Sequence, residues 1–204
     1  MLKSPFIQPC QPKPAQEIPE GPDWLHEVKF DGWRVQVHSD LNGVFLYSRN
    51  GTDLTSRFSA LAAQIKQVLD GTTCIIDGEL VALDAKGLPN FRELHGTSGR
   101  GADLTVWAFD LMLLKGKDIR ELPLVDRKDR LCALVGGTGP AIQFSDGFDD
   151  WEALLAECDR LGLEGIVSKK RASAYRSGPS SSWIKVKCTA WREANQGRWE
   201  LFQR

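Results

Sequence analysis

The sequence has no run approaching the roughly 18 apolar residues that a membrane-spanning helix requires, and its start, MLKSPFIQPC, lacks the apolar stretch of a secretory signal. Both absences predict a cytoplasmic protein without a membrane partner. No Cys-x-x-Cys pair occurs among the five cysteines, Cys10, Cys74, Cys132, Cys158 and Cys188, which argues against a disulfide framework and against a zinc knuckle. They read as reduced packing residues. The phosphate loop G-x-x-x-x-G-K-[ST] is missing, and so is a G-x-G-x-x-G turn after a strand. A bound nucleotide must therefore be held by side chains and not by a glycine-rich cradle. The three histidines, His26, His38 and His95, match no metal-ligand spacing and read as structural. There is no internal repeat.

What is present is an ordinary globular composition, 204 residues with 42% hydrophobic and 26% charged, enough for one domain. The net charge of −1 conceals an uneven distribution, because Gly165 to Arg204 carries nine Lys and Arg against two Glu. A basic C-terminal fifth suits phosphates, although a solvated charged face explains it as well. Six of the ten prolines precede Lys29, so residues 1–23 form an extended lead-in packed on the core. A domain over 24–188 and a basic, aromatic tail over 189–204 with a helix from Ala190 complete the division.

Short β-rich runs at Trp24–Phe30, Trp33–Val37 and Gly43–Ser48 are separated by Asp31-Gly32 and Asn42-Gly43, which predicts an antiparallel meander. Further strands are expected at Cys74–Ile76, Glu79–Leu83, Thr105–Phe109, Gly165–Ser168 and Trp183–Val186. Apolar spacings of three and four predict helices over Arg57–Leu69, Asp126–Val135 and Asp149–Leu161. The class is α+β, antiparallel sheets flanked by helices. Seven tryptophans, Trp183, Trp191 and Trp199 among them, fit packing better than a base-stacking platform.

Five motifs follow in order: Lys29-Phe30-Asp31-Gly32-Trp33-Arg34, Ser48-Arg49-Asn50-Gly51, Asp77-Gly78-Glu79, Glu164-Gly165-Ile166-Val167 and Lys185-Val186-Lys187, with the apolar Val106–Leu111 between the third and fourth. The first alone is more often a charged hairpin turn, and either glutamate alone is more often a surface charge. As an ordered set the five resemble the covalent nucleotidyltransferases, most closely the ATP-dependent DNA ligases of the bacterial end-joining type, from Phe6 to Lys187. That resemblance implies an ATP-grasp-like nucleotidyltransferase fold in which Lys29 attacks the α-phosphate of ATP, assisted by Mg²⁺, and carries AMP to the 5′-phosphate of nicked duplex DNA in repair. It further implies that Lys185 and Lys187 contact the α-phosphate, that Glu79 and Arg49 approach the ribose, and that Glu79 and Glu164 serve the metal. Phe109 matches the aromatic that stacks on adenine. Glu27 matches a residue near the adenine amino group, which the backbone on either side of Val28 reads equally well. RNA-ligase or capping-type transfer and a non-catalytic nucleotide- or DNA-binding module are the alternative readings, the former separable by competition between ATP and GTP.

The chemistry stands without the family name. A lysine in water is neutral in only about one molecule in 2,500 at pH 7, a handicap of roughly 4.6 kcal/mol for nucleophilic attack. Mg²⁺, the cation of Arg34 and desolvation lower that barrier, while Asp31 raises it. Lys185 and Lys187 alternate across Val186, so on a strand both point to one face and bracket one phosphate. Phosphoryl transfer asks mainly for such positioned cations.

Ligases of this kind usually continue into an OB-fold domain that orients pyrophosphate and clamps DNA. Only 17 residues follow Lys187, which leaves no room for it here. The family's arginine after Ser-Gly is replaced in Ser177-Gly178-Pro179. Slow self-adenylation and weak, salt-dependent DNA binding are therefore expected unless a protein partner supplies the missing parts.

Overall fold

The structure, a computed structural model, describes residues 5–85, 87, 89–90, 94 and 103–195. His95, Arg198 and Trp199 lie outside the described residues. Among the described residues ten strands form: β1 (Cys10–Pro14), β2 (Trp24–Lys29), β3 (Trp33–Asp40), β4 (Gly43–Ser48), β5 (Cys74–Leu83), β6 (Asp103–Leu114), β7 (Lys117–Asp118), β8 (Ile142–Phe144), β9 (Gly165–Lys170) and β10 (Gly178–Lys187). They are interleaved with helices α1 (Ser59–Leu69), α2 (Leu124–Val135), α3 (Trp151–Arg160) and the short α4 (Thr189–Ala194). Among the described residues no helix is long and apolar enough to cross a membrane.

The strands divide between two sheets, one in the order β1-β10-β9-β2 and one in the order β4-β3-β5-β6-β7 with β8 added beside β6. Pairing is antiparallel except for β1 with β10 and β6 with β8. The predicted meander from Trp24 to Ser48 is corrected by this topology: β3 and β4 form the expected hairpin, but β2 pairs with β9 in the other sheet. Asp31-Gly32 is thus a crossing between sheets. Gly32 is required there because a Cβ would overlap Leu80 O and come within 2.8 Å of Val81 Cγ1. The two strands expected between Cys74 and Leu83 are one, carried across two register shifts against β6. In the proline-rich lead-in, β1 borders the first sheet at an edge, where missing N–H donors cost least.

Three apolar clusters hold the layers. Val35, Val37 and Leu46 meet Leu61, Ile65 and Leu131 where α1 and α2 cover the six-stranded sheet. Leu154, Cys158 and Trp191 pack on Ile166 and Val186 behind the four-stranded sheet. Between the sheets lie Cys10, Ile75, Met112, Tyr175 and Trp183, with Phe109 against them. The α3 N-terminus is capped by Asp150, whose Oδ1 accepts from Ala153 N at 2.9 Å. All five cysteines are free, and Cys132 is exposed while the other four are buried.

Candidate active site

The first wall of the site is built on β9. Lys29, at the end of β2, and Lys187, at the end of β10, both pair with Gly165 from opposite sides. Gly165 has φ +151°, and a Cβ would overlap Val186 O and lie 2.7 Å from Lys187 Cα, so only glycine lets the three strands close. Glu164, just before it, is buried and contacts Lys29 Nζ through Oε2 and Lys187 Nζ at 2.9 Å through Oε1. Lys187 also lies 4.1 Å from the Trp191 ring centroid, a cation–π contact.

The second wall comes from the six-stranded sheet, where Arg34 on β3 pairs with Glu79 on β5. Arg34 donates to both oxygens of Asp77, at 2.9 and 2.6 Å. Burial opposes its charge but Asp77 more than restores it, so its affinity for the proton is raised. Tyr175 donates its hydroxyl to Asp77 Oδ2 at 2.5 Å and accepts from Cys10 N at 2.9 Å. Burial pushes the Glu79 carboxyl up to about 7, against the lowering influence of Lys29 and Arg34. Burial, followed by the like charges of Lys29 and Lys187, pulls the Lys185 ammonium below its usual range.

The walls enclose a cleft of about 920 Å³ lined by Lys29, Arg34, Arg49, Glu79 and Lys185 among others. A chamber of about 90 Å³ adjoins it, with Glu27, Val28, Phe109, Val167, Lys169 and Trp183 in its lining. Lys29, Arg34 and Glu79 belong to both. Glu164 and Lys187, ion-paired with each other beside Lys29, line neither. Arg34 lies 4.9 Å from the Phe109 ring centroid. Glu27 is 1% exposed: Lys169 Nζ donates to its Oε2 at 2.9 Å, and Ser145 Oγ donates to the same oxygen at 3.3 Å. Lys128 Nζ is 3.0 Å from Oε1, an electrostatic contact and not a directed hydrogen bond, since Oε1 has no hydrogen-bond partner.

Sequence reasoning missed Asp77 as the anchor of Arg34, and it missed Tyr175, Lys128 and Lys169. Asp77 and Lys169 sit in or beside motifs already singled out, so proximity was an available signal. Lys128 and Tyr175 carried none. Glu79 and Glu164 face Lys29 from the two walls, yet no group of three metal-binding side chains occurs among the described residues. That donor set fits an octahedral ion completed by substrate phosphates and water, the usual manner of magnesium.

A family model described as ATP dependent DNA ligase domain matches residues 7–187. The chain belongs to this family. The ligase domain is 37% identical over 192 residues to the multifunctional non-homologous end joining protein LigD of Pseudomonas aeruginosa, covering 91% of this chain and 23% of that protein. A DNA ligase of Haloferax volcanii is 36% identical over 176 residues, covering 79% of this chain and 30% of the relative. A solved structure of mycobacterial DNA ligase D complexed with ATP and MES superposes with a TM-score of 0.80 at 29% identity, covering 89% of this chain and 60% of that one. The ligase domain thus spans about a quarter of the length of the LigD relative.

Proposed function

We propose that the ligase domain forms a covalent lysyl-AMP at Lys29 from ATP and transfers the AMP to the 5′-phosphate of nicked duplex DNA, as a cytoplasmic step of end-joining repair. The observation that carries this reading is the convergence of Lys29, Arg34, Arg49, Glu79 and Lys185 on one cleft beside the Phe109 chamber. Phe109 and Val167 flank the chamber that takes adenine, with Glu27 and the backbone at Val28 at its edge. Arg49 and Glu79 lie where the ribose runs out.

In the first step the neutral Lys29 amine attacks the α-phosphorus. An N–P bond forms, the bond to the bridging oxygen breaks, and its electron pair leaves with pyrophosphate. The amine must shed a proton to solvent beforehand, and Glu164, in contact with Lys29 Nζ, holds the side chain in place. Lys185 faces the charge growing on the α-phosphate, and Lys187 balances Glu164 from the far side. Glu79 and Glu164 are the residues to hold magnesium, which when bound neutralises phosphate charge. In the second step the DNA 5′-phosphate oxygen displaces Lys29 from AMP, and in the third a 3′-hydroxyl displaces AMP. A protein partner supplies further DNA contacts.

The test is incubation with α-labelled ATP and magnesium beside Lys29→Ala. Label retained after denaturation, and absent from the variant, supports the reading. No label on the wild-type chain refutes it, and equal labelling from GTP redirects it to capping-type transfer.

A further inference from the structure

The ion pairs around the cleft leave positive charge over. Lys29 and Lys187 share Glu164, and Asp77 matches Arg34. Lys13, Arg49 and Lys185 line the same cleft, and none of the three makes an ion pair among the described residues. Lys185 also feels the like charge of Lys29, Lys187 and Arg49. Among the described residues Glu79 is the one carboxylate lining that cleft. Cations gathered in a concave site repel one another, and a bound polyanion relieves the repulsion.

The proposed reaction uses part of this surplus. Lys185, near Lys29, faces the α-phosphate, and Arg49 the ribose. Lys13 has no role in that account, and its place in the fold is unusual. β1 runs parallel to β10 with Pro12 opposite Ser180, but Lys13 is opposite Ile184. Ser181, Ser182 and Trp183 therefore have no partner on β1, and the ladder opens at the rim of the cleft. Gln11, Lys13, Ser180 and Ser181 all line that rim. Lys13 offers an ammonium, Ser181 a hydroxyl and Gln11 an amide to whatever extends beyond the α-phosphate, and the Ser180 hydroxyl, which accepts from Ser182 N at 3.2 Å, can rotate toward it.

We propose that Lys13, with Ser180 and Ser181 across the opened β1–β10 ladder, forms a polyphosphate subsite for the β- and γ-phosphates of ATP, from which pyrophosphate departs. This deepens the nucleotidyl-transfer reading and rests on it. The subsite faces the phosphate tail with a flexible cation and rotatable donors, which suits a group that must be held and then released. A phosphate of the DNA strand has the same chemistry, so the experiment separates the two sources.

Lys13→Gln and Lys13→Arg are the variants, and Lys13 is exposed on an edge strand, where substitution spares the core. Lys13→Gln should raise the KM for ATP in lysyl-AMP formation about threefold to tenfold. It should raise, by a similar factor, the pyrophosphate concentration needed to discharge the adduct. Transfer from preformed lysyl-AMP protein to nicked duplex should be unchanged, and Lys13→Arg should recover most of the loss. An unaltered KM and unaltered discharge overturn the proposal, as does a defect confined to transfer onto DNA, which would assign Lys13 to the nucleic-acid strand. Calorimetry of inorganic pyrophosphate with the nucleotide-free protein tests the subsite even if no adduct forms. Weaker binding to Lys13→Gln supports it and equal binding overturns it, whereas a missing label on the wild-type chain counts only against the nucleotidyl-transfer reading.

Discussion

At Tyr175 a single hydroxyl joins three segments distant in sequence: Cys10 on β1, Asp77 on β5 and, through Asp77, Arg34 on β3. A hydrogen bond to a charged acceptor is worth about 1.5–3 kcal/mol, and a buried donor left without an acceptor adds a further cost. Tyr175→Phe should therefore lower stability by about 1–3 kcal/mol in urea unfolding and, by loosening Arg34, slow lysyl-AMP formation. A variant of unchanged stability and rate would show that Asp77 and Arg34 hold themselves. His26 offers a pH-dependent counterpart. Its ring bonds Ser168 Oγ at 2.9 Å, and burial, then Arg171, lowers its affinity for the proton below that of an ordinary histidine, about 6.5. The unfolded chain then binds a proton that the folded chain refuses, so the stabilisation is complete above about pH 6.5 and declines as pH falls toward the folded-state value. Comparing unfolding midpoints at pH 7 and pH 5.5, the loss should be smaller in His26→Gln than in wild type. Equal losses would place the acid sensitivity elsewhere.

The elements were legible to different degrees, for reasons that individual residues expose. Gly43–Ser48 matches its strand at both ends because Asn42-Gly43 marks the turn and one sheet face is buried. Which sheet a strand joins is a non-local choice, made by β9 seven strands later in the chain, so β2 and β3 looked like neighbours and are not. The α2 helix shows a second kind of blindness. Charged positions on an amphipathic helix ordinarily face solvent, yet Arg127 and Lys128 are both buried, and Arg127 bonds Asp110 at 2.7 and 2.9 Å. Periodicity assumes that charge faces water, and here the partners that overrule it come from β6 and β2. Breaking a buried pair by removing one member leaves an uncompensated charge, at a cost of about 3–5 kcal/mol. Arg127→Met should reach that range in denaturant unfolding, while the matched double change Arg127→Met with Asp110→Leu should recover much of it. A single variant within 1 kcal/mol of wild type would mean that water or another cation reaches Asp110.

Across the whole molecule the five motifs were legible because each is short and keeps its local chemistry, while their meeting place was not, since it depends on two sheets facing each other. Lys29 and Lys185 belong to the four-stranded sheet and Glu164 immediately precedes its strand β9, while Arg34, Arg49 and Glu79 belong to the six-stranded sheet or the turn after β4. A nucleotide in the cleft therefore touches both layers, and its binding energy opposes any unfolding that separates them. A ligand at a hundredfold excess over its Kd contributes about 2.7 kcal/mol to the folded state. For a domain of this size each kcal/mol moves Tm by about 2–4 °C, so ATP with magnesium should raise Tm by roughly 5–11 °C. Lys29→Met isolates this effect, because it removes the nucleophile and leaves only reversible binding. An upward shift in that variant, saturating with ATP and abolished by adding Glu79→Ala and Arg49→Ala together, ties the second sheet to the nucleotide. If the two added substitutions leave the shift untouched, the six-stranded wall does not share in binding, and the cleft between the sheets is not where the nucleotide lies.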